Sequence, residues 1–182
     1  MEELKLYMLL LGCKPNGRHT EQHDIFFTVG TSLKSIIPDM LAFWPEASGV
    51  MHIDSWREIS HVNNFEIKII PKREAQTVMK NKLFFLNLGG YKPNEFEEYH
   101  YKILTVNEDK SLAILQAKET VFYRHTNSPH IDDKYGVDVD DIYDVEEILP
   151  KQIKEKYSLQ ISPAISIEED ELHIGYLKLS KL

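Results

Sequence analysis

The chain has a single cysteine, Cys13, in 182 residues, so it can form no internal disulfide. That scarcity favours a reducing compartment and leads us to expect a cytoplasmic protein. Basic residues are also in short supply, with 21 Lys and Arg against 29 Asp and Glu for a net charge of −8. Nonspecific nucleic-acid affinity comes from clustered Lys and Arg, so no nucleic-acid partner is expected. No apolar stretch approaches the ~20 residues of a membrane helix, and no membrane association is expected. The catalytic signatures are missing too. There is no Gly-x-Gly-x-x-Gly, no P-loop Lys-Ser/Thr pair and no His-Glu-x-x-His. The acidic run Asp132, Asp133, Asp138, Asp140, Asp141 and Asp144 lacks the residue order of a calcium-binding EF-hand loop. Val137 and Val139 alternate with Asp138 and Asp140, which reads as a half-buried strand with a solvated edge.

What the chain does contain is a repeat. KLYMLLLG at 5–12 recurs as KLFFLNLG at 82–89, and Lys-Pro-Asn follows each, at 14–16 and 92–94. Glu21 and His23 are answered by Glu98 and His100, and His52-Ile53-Asp54 by His130-Ile131-Asp132, at an offset of 77 or 78 residues. Self-similarity held in register implies an internal duplication. It predicts an α+β fold of two tandem β-β-α-β(-β) units, 1–75 and 76–182, related by pseudo-two-fold symmetry in a mixed or mostly antiparallel sheet. Units this small gain from sharing a core, as a fused pseudo-dimer does. The repeat also decides the N-terminus. Leu10-Leu11-Gly12-Cys13 has the look of a lipoprotein cleavage site, but the same pattern at 82–89 lies where no signal could act. Both runs are expected to be buried central strands.

The elements follow from period and punctuation. Pro15-Asn16-Gly17 is a turn. In the returning strand His23, Ile25, Phe27 and Val29 share a face, as do His100, Lys102, Leu104 and Val106 in the second copy. Leu33 to Trp44 has helical spacing, with Thr31 or Ser32 as cap and Pro38 forcing a kink or a start nearer Ser35. Asp109 caps a second helix from Lys110 to about Arg124. Strands are expected at Met51–Ile59, Phe65–Ile70, Tyr135–Val145 and Tyr157–Ser162, a short helix at Pro150–Lys156, and a linker at 71–81. The tail from Leu172 to Leu179 reads as an added strand.

LGCKPNGRHTEQHD, HIDSW, FFLNLGGYKPNEFEE and VDVDD together resemble a bacterial family known only as domain of unknown function number 1543. The resemblance spans roughly residues 5–145. It implies a small soluble bacterial protein with one or two copies of the unit, and no activity. The second copy departs from the first, with Gly90 for Cys13, Tyr101 for Asp24, and no Trp after Asp132.

The candidate site is the recurring polar set. Glu21, His23, Asp24, His52, Asp54 and Trp56 are its first-copy members, and Glu98, His100, His130 and Asp132 its second. Alternation along a strand puts Glu21 with His23 and His52 with Asp54. Converging imidazoles and carboxylates could hold a divalent metal, or form an acid/base pair. They could also contact an organic ligand, or simply tie turns and strand ends together. Trp56, with Phe43, Trp44, Tyr91, Tyr99 and Tyr101, could wall a groove, although Trp44 fits the helix core. Cys13 beside Lys14 lacks the geometry of a nucleophile and is read as a buried thiol. The expectation is therefore a binding or interaction protein for a small molecule or protein partner, either a monomeric pseudo-dimer or a homodimer. A metal-dependent, hydrolase-like enzyme using the same residues is the alternative.

Overall fold

The computed structural model describes residues 3–47, 49–75, 80–91, 94–125, 138–165 and 170–182. In chain order come β1 (Lys5–Cys13), β2 (Gln22–Gly30), α1 (Ile37–Phe43), β3 (His52–Ile59), β4 (His61–Val62) and β5 (Phe65–Pro71). Then come β6 (Lys82–Tyr91), β7 (Glu98–Asn107), α2 (Lys110–His125), β8 (Asp138–Asp144) and α3 (Val145–Ile148). The chain finishes with α4 (Lys151–Lys156), β9 (Tyr157–Pro163) and β10 (His173–Lys178). These elements form two compact units, Met1–Ala75 with Leu149–Leu182, and Gln76–Ile148. Residues 149–182, which the tandem reading joins to the second copy, thus supply strands to the first unit. The α+β class holds, and every described strand pairing is antiparallel.

In the first unit the main sheet has the order β10-β3-β1-β2, and a smaller sheet has the order β4-β5-β9. β1 is central, as its apolar run requires. Tyr7, Leu9, Leu11 and Cys13 point to one face and are buried with Phe26, Ile53, Ile36 and Met40. Helix α1 supplies Met40 to this core and begins with Pro38 in its first turn. There the missing N–H costs nothing, so Pro38 sets the start of the helix and does not kink a longer one. The turn before it is 3-10, and Ser32 Oγ accepts the Ser35 amide at 3.2 Å. Asn63, at the β4–β5 turn, has φ +57, a conformation Asn tolerates better than most residues.

The second unit is a three-stranded sheet of order β7-β6-β8. Phe84, Leu86 and Leu88 of β6 are buried against Ala113 and Ala117 of α2. Asp109 caps that helix through the Leu112 amide at 3.0 Å, as its position predicts. The Val145 end of the predicted strand instead turns into α3, where Asp144 accepts the Glu146 amide at 3.1 Å. Tyr135 to Val137 lie outside the described residues.

Pairings in the two units correspond in detail. The β1–β3 register shifts between Leu10 and Leu11, and the β6–β8 register between Asn87 and Leu88. Lys5 bridges to Glu58 at 2.8 Å, and Lys82 to Asp144 at 2.8 Å. Thr28 donates to Asp39 at 2.8 Å, and Thr105 to Gln116 at 2.5 Å. Asp144 is buried and paired, so this member of the acidic run is no solvated edge residue.

Candidate metal centre

On the face of β1 opposite Tyr7, Leu9 and Leu11, the residues Leu6, Met8 and Leu10 give way to Gly12 where the strand ends. Gly12 pairs with His23 on β2 and with His52 on β3. Residues directly opposite in a ladder share a face, so the two imidazoles stand on either side of a residue with no side chain. Glu21 lies two residues before His23. Asp54 is the extra residue in the shifted register, since Ile53 pairs with Leu11 and Ser55 with Leu10. Such a bulge re-aims a side chain. The Asp54 carboxylate lies over Gly12, where an added Cβ would clash with both Asp54 Oδ2 and His52 Nε2.

Four predicted residues therefore meet. His52 Nε2 is 2.8 Å from Glu21 Oε1 and 3.4 Å from Asp54 Oδ1, and His23 Nε2 is 3.2 Å from Asp54 Oδ2. The His52 side chain is only 6% exposed, whereas those of Glu21 and His23 are 44% exposed. The set thus has a dry floor and a wet rim. Distance alone would suggest hydrogen bonds. Yet His52 Nε2 and Asp54 Oδ2 are fully buried without an acceptable hydrogen bond to any described residue. Buried polar atoms left without hydrogen bonds cost about 1–3 kcal/mol each, a cost that a bound water or ligand would relieve.

Asp24 and Trp56 do not join the set. Asp24 pairs with Leu11, which points into the core, and its Oδ1 accepts the Ile25 amide at 2.7 Å. Trp56 pairs with Leu9, because the Asp54 bulge reverses the alternation beyond it. Its ring packs on the core side and stacks on His173 at 3.9 Å. The aromatic beside His52 is instead Tyr176 of β10, with ring centroids 4.4 Å apart. Period-2 alternation marks the tail as a strand, but nothing in the sequence says that it lies against β3. The buried, unbonded state of His52 was equally unreadable, as was the role of Gly12.

In the second unit Gly89 stands where Gly12 does. It pairs with His100 on β7 and Asp138 on β8, and Asp140 is the extra residue of the shifted register. Asp138 and Asp140 therefore take the frame positions of His52 and Asp54, 86 residues on. The sequence reading matched these to His130 and Asp132, which precede β8 and lie outside the described residues. The likeness in sequence and the register counted from Gly89 thus point to different residues. His100 Nε2 is 3.4 Å from Asp140 Oδ2 and 3.9 Å from Glu98 Oε2. Tyr101, one residue on, packs on the second unit's core, and the side chain of Tyr91 is outside the description.

Cys13 is buried, and burial raises its thiol pKa, with Glu21 and Glu46 adding to the effect. It stays a thiol, which removes it as a nucleophile. Two clefts of the first unit are lined by other residues. One is bounded by Arg18, Gln22, Trp44 and Glu46, and the other by Trp56, Glu58, Ser60, Asp170 and His173. Within the second, Ser60 Oγ is 3.0 Å from His61 Nδ1 and 2.7 Å from Asp170 Oδ1. That carboxylate also accepts the Ser60 and His61 amides, so it serves to cap a turn. No described helix is long and apolar enough to cross a membrane.

Among solved structures the chain is similar to the protein Il1583 from Idiomarina loihiensis. The two are 20% identical over 97% of this chain and 98% of that one, with a TM-score of 0.61. At that identity the likeness is one of fold. No curated protein matches the chain. Residues 18–69, the stretch that holds Glu21, His23, His52 and Asp54, match the family model described as Domain of Unknown Function (DUF1543).

Proposed function

We propose that this is a divalent-cation-binding protein whose first unit holds the ion through His52, Asp54, Glu21 and His23. The observation that carries the reading is His52 Nε2, buried 2.8 Å from Glu21 Oε1 and 3.4 Å from Asp54 Oδ1 without hydrogen-bond geometry to either. Two imidazoles and two carboxylates suit zinc, manganese or ferrous iron. We favour binding over catalysis because the sequence carries no complete catalytic signature. The exposed rim of Glu21 and His23 favours the second reading, a metal-dependent hydrolase, to the extent that water reaches the ion there.

The protein is further read as a duplicated unit acting as a single-chain pseudo-dimer in the bacterial cytoplasm. The matched register shifts and the two Lys–carboxylate and Thr–helix contacts support the duplication. The single buried thiol supports a reducing compartment.

Elemental analysis of untagged protein tests the reading, together with thermal melts before and after chelation. Bound metal is expected, its removal should lower Tm, and His52→Ala should lose the ion of the first unit. Protein that carries no metal, and whose Tm does not move with added zinc or manganese, would refute the proposal.

A further inference from the structure

We infer that the second unit has a cation site of its own, formed by Glu98, His100 and Asp140, and that it prefers a harder ion than the first. One ligand atom from each of these residues lies within 4.8 Å of the other two. Donors on opposite sides of an ion, at about 2.0–2.4 Å from it, can be no farther apart than that. The three come from two different strands. Glu98 and His100 alternate on β7, and Asp140 is the bulged residue of β8 across Gly89.

Two further observations point to a ligand here. Gly89 has no room for a side chain, because a Cβ there would run into both carboxylate oxygens of Asp140. The Asp54 carboxylate crowds Gly12 in the same way, so both bulges fold an acid back over a glycine. Separately, Asn87 Oδ1 is buried with no hydrogen-bond partner among the described residues. Asn87 sits two residues before Gly89 and so on the same face of β6, with only its Nδ2 engaged, at 3.4 Å from Asp141 Oδ2. An acceptor in that position lacks a donor, and water held on a nearby cation would supply one. Leu10 fills the matching place in the first unit, which makes the second frame the more polar.

The donor chemistry differs accordingly. The first set has two imidazole nitrogens, whereas this one has a single nitrogen and two carboxylates. Oxygen-dominated sets prefer manganese or magnesium, and three protein donors leave room for bound waters. Because Glu98, His100 and Asp140 are exposed, exchange with solvent should be fast.

Manganese titration of the intact, metal-stripped chain, followed by the EPR signal of free Mn2+, tests this. Wild type and His52→Ala should both bind Mn2+, and Asp140→Asn and Glu98→Gln should each weaken it about 10-fold or more. Thermal melts of the two exposed-site variants would verify that they remain folded. If both variants bind Mn2+ like wild type while His52→Ala does not, the second site falls and the first stands. Mn2+ binding that appears only above millimolar concentration also overturns it. Failure of wild type to bind either Mn2+ or Zn2+ defeats both proposals.

Discussion

Gly12 shows how much at the residue scale depends on an absent side chain. A Cβ there would strike Asp54 and His52 at the ends of their side chains, which can swing away. Gly12→Ala should therefore leave the fold nearly as stable while scattering the donors. Zinc affinity measured by competition with a chromophoric chelator should fall about 10-fold or more, as when a ligand loses its positioning. Affinity within twofold of wild type would show that the glycine is incidental. Tyr7 offers a prediction that is independent of any metal. Burial, with Glu58 adding, pushes its phenol from an ordinary 10.0 up to about 12. In that window the unfolded chain ionises first, so stability present below pH 10.0 should decline as pH rises toward 12. Tyr7→Phe should flatten this decline in denaturant melts taken across the range. An unchanged slope in the variant would assign the decline to another group.

At the scale of elements, strand parity decides which leucines matter. Leu9 and Leu86 point into the cores and are fully buried, whereas Leu10 is half-buried on the other face. Leu9→Ala or Leu86→Ala should cost about 2–5 kcal/mol in urea unfolding, and Leu10→Ala clearly less. Equal losses at positions 9 and 10 would contradict the burial pattern. Much of this was legible in the sequence, because period-2 and period-3.6 patterns report burial directly. β1, β6, the Asp109 cap and the β10 tail all follow from local residue order. The bulge at Asp54 did not, since a register shift arises from pairing with a strand more than forty residues away. That single irregularity kept Asp54 in the site and removed Trp56 from it. The same limit hid the register position of Asp140, because sequence likeness favoured His130-Ile131-Asp132 and only the ladder counts residues from Gly89.

For the whole molecule, the C-terminal segment overrides the simple division into an N-terminal and a C-terminal half. β9 pairs with β5 along Phe65 to Pro71, and β10 pairs with β3 beside His52. Leu177, Leu179 and Leu182 pack on the core that Tyr7, Leu9 and Leu11 build. A chain cut after Ala75 would therefore expose two strand edges at once and lose part of its apolar cover. A unit of that size has little surplus burial with which to compensate. We predict that residues 1–75 alone show no cooperative thermal transition by circular dichroism. Adding a peptide of residues 149–182, or joining it through a flexible linker, should restore one. With the strand returned, Tyr176 again lies against His52, so the complemented fragment should also recover zinc binding. A fragment 1–75 that melts cooperatively and binds zinc unaided would mean that β9 and β10 merely decorate the first unit. Folding only with the tail, the outcome expected, would make the last thirty-four residues integral to the first unit.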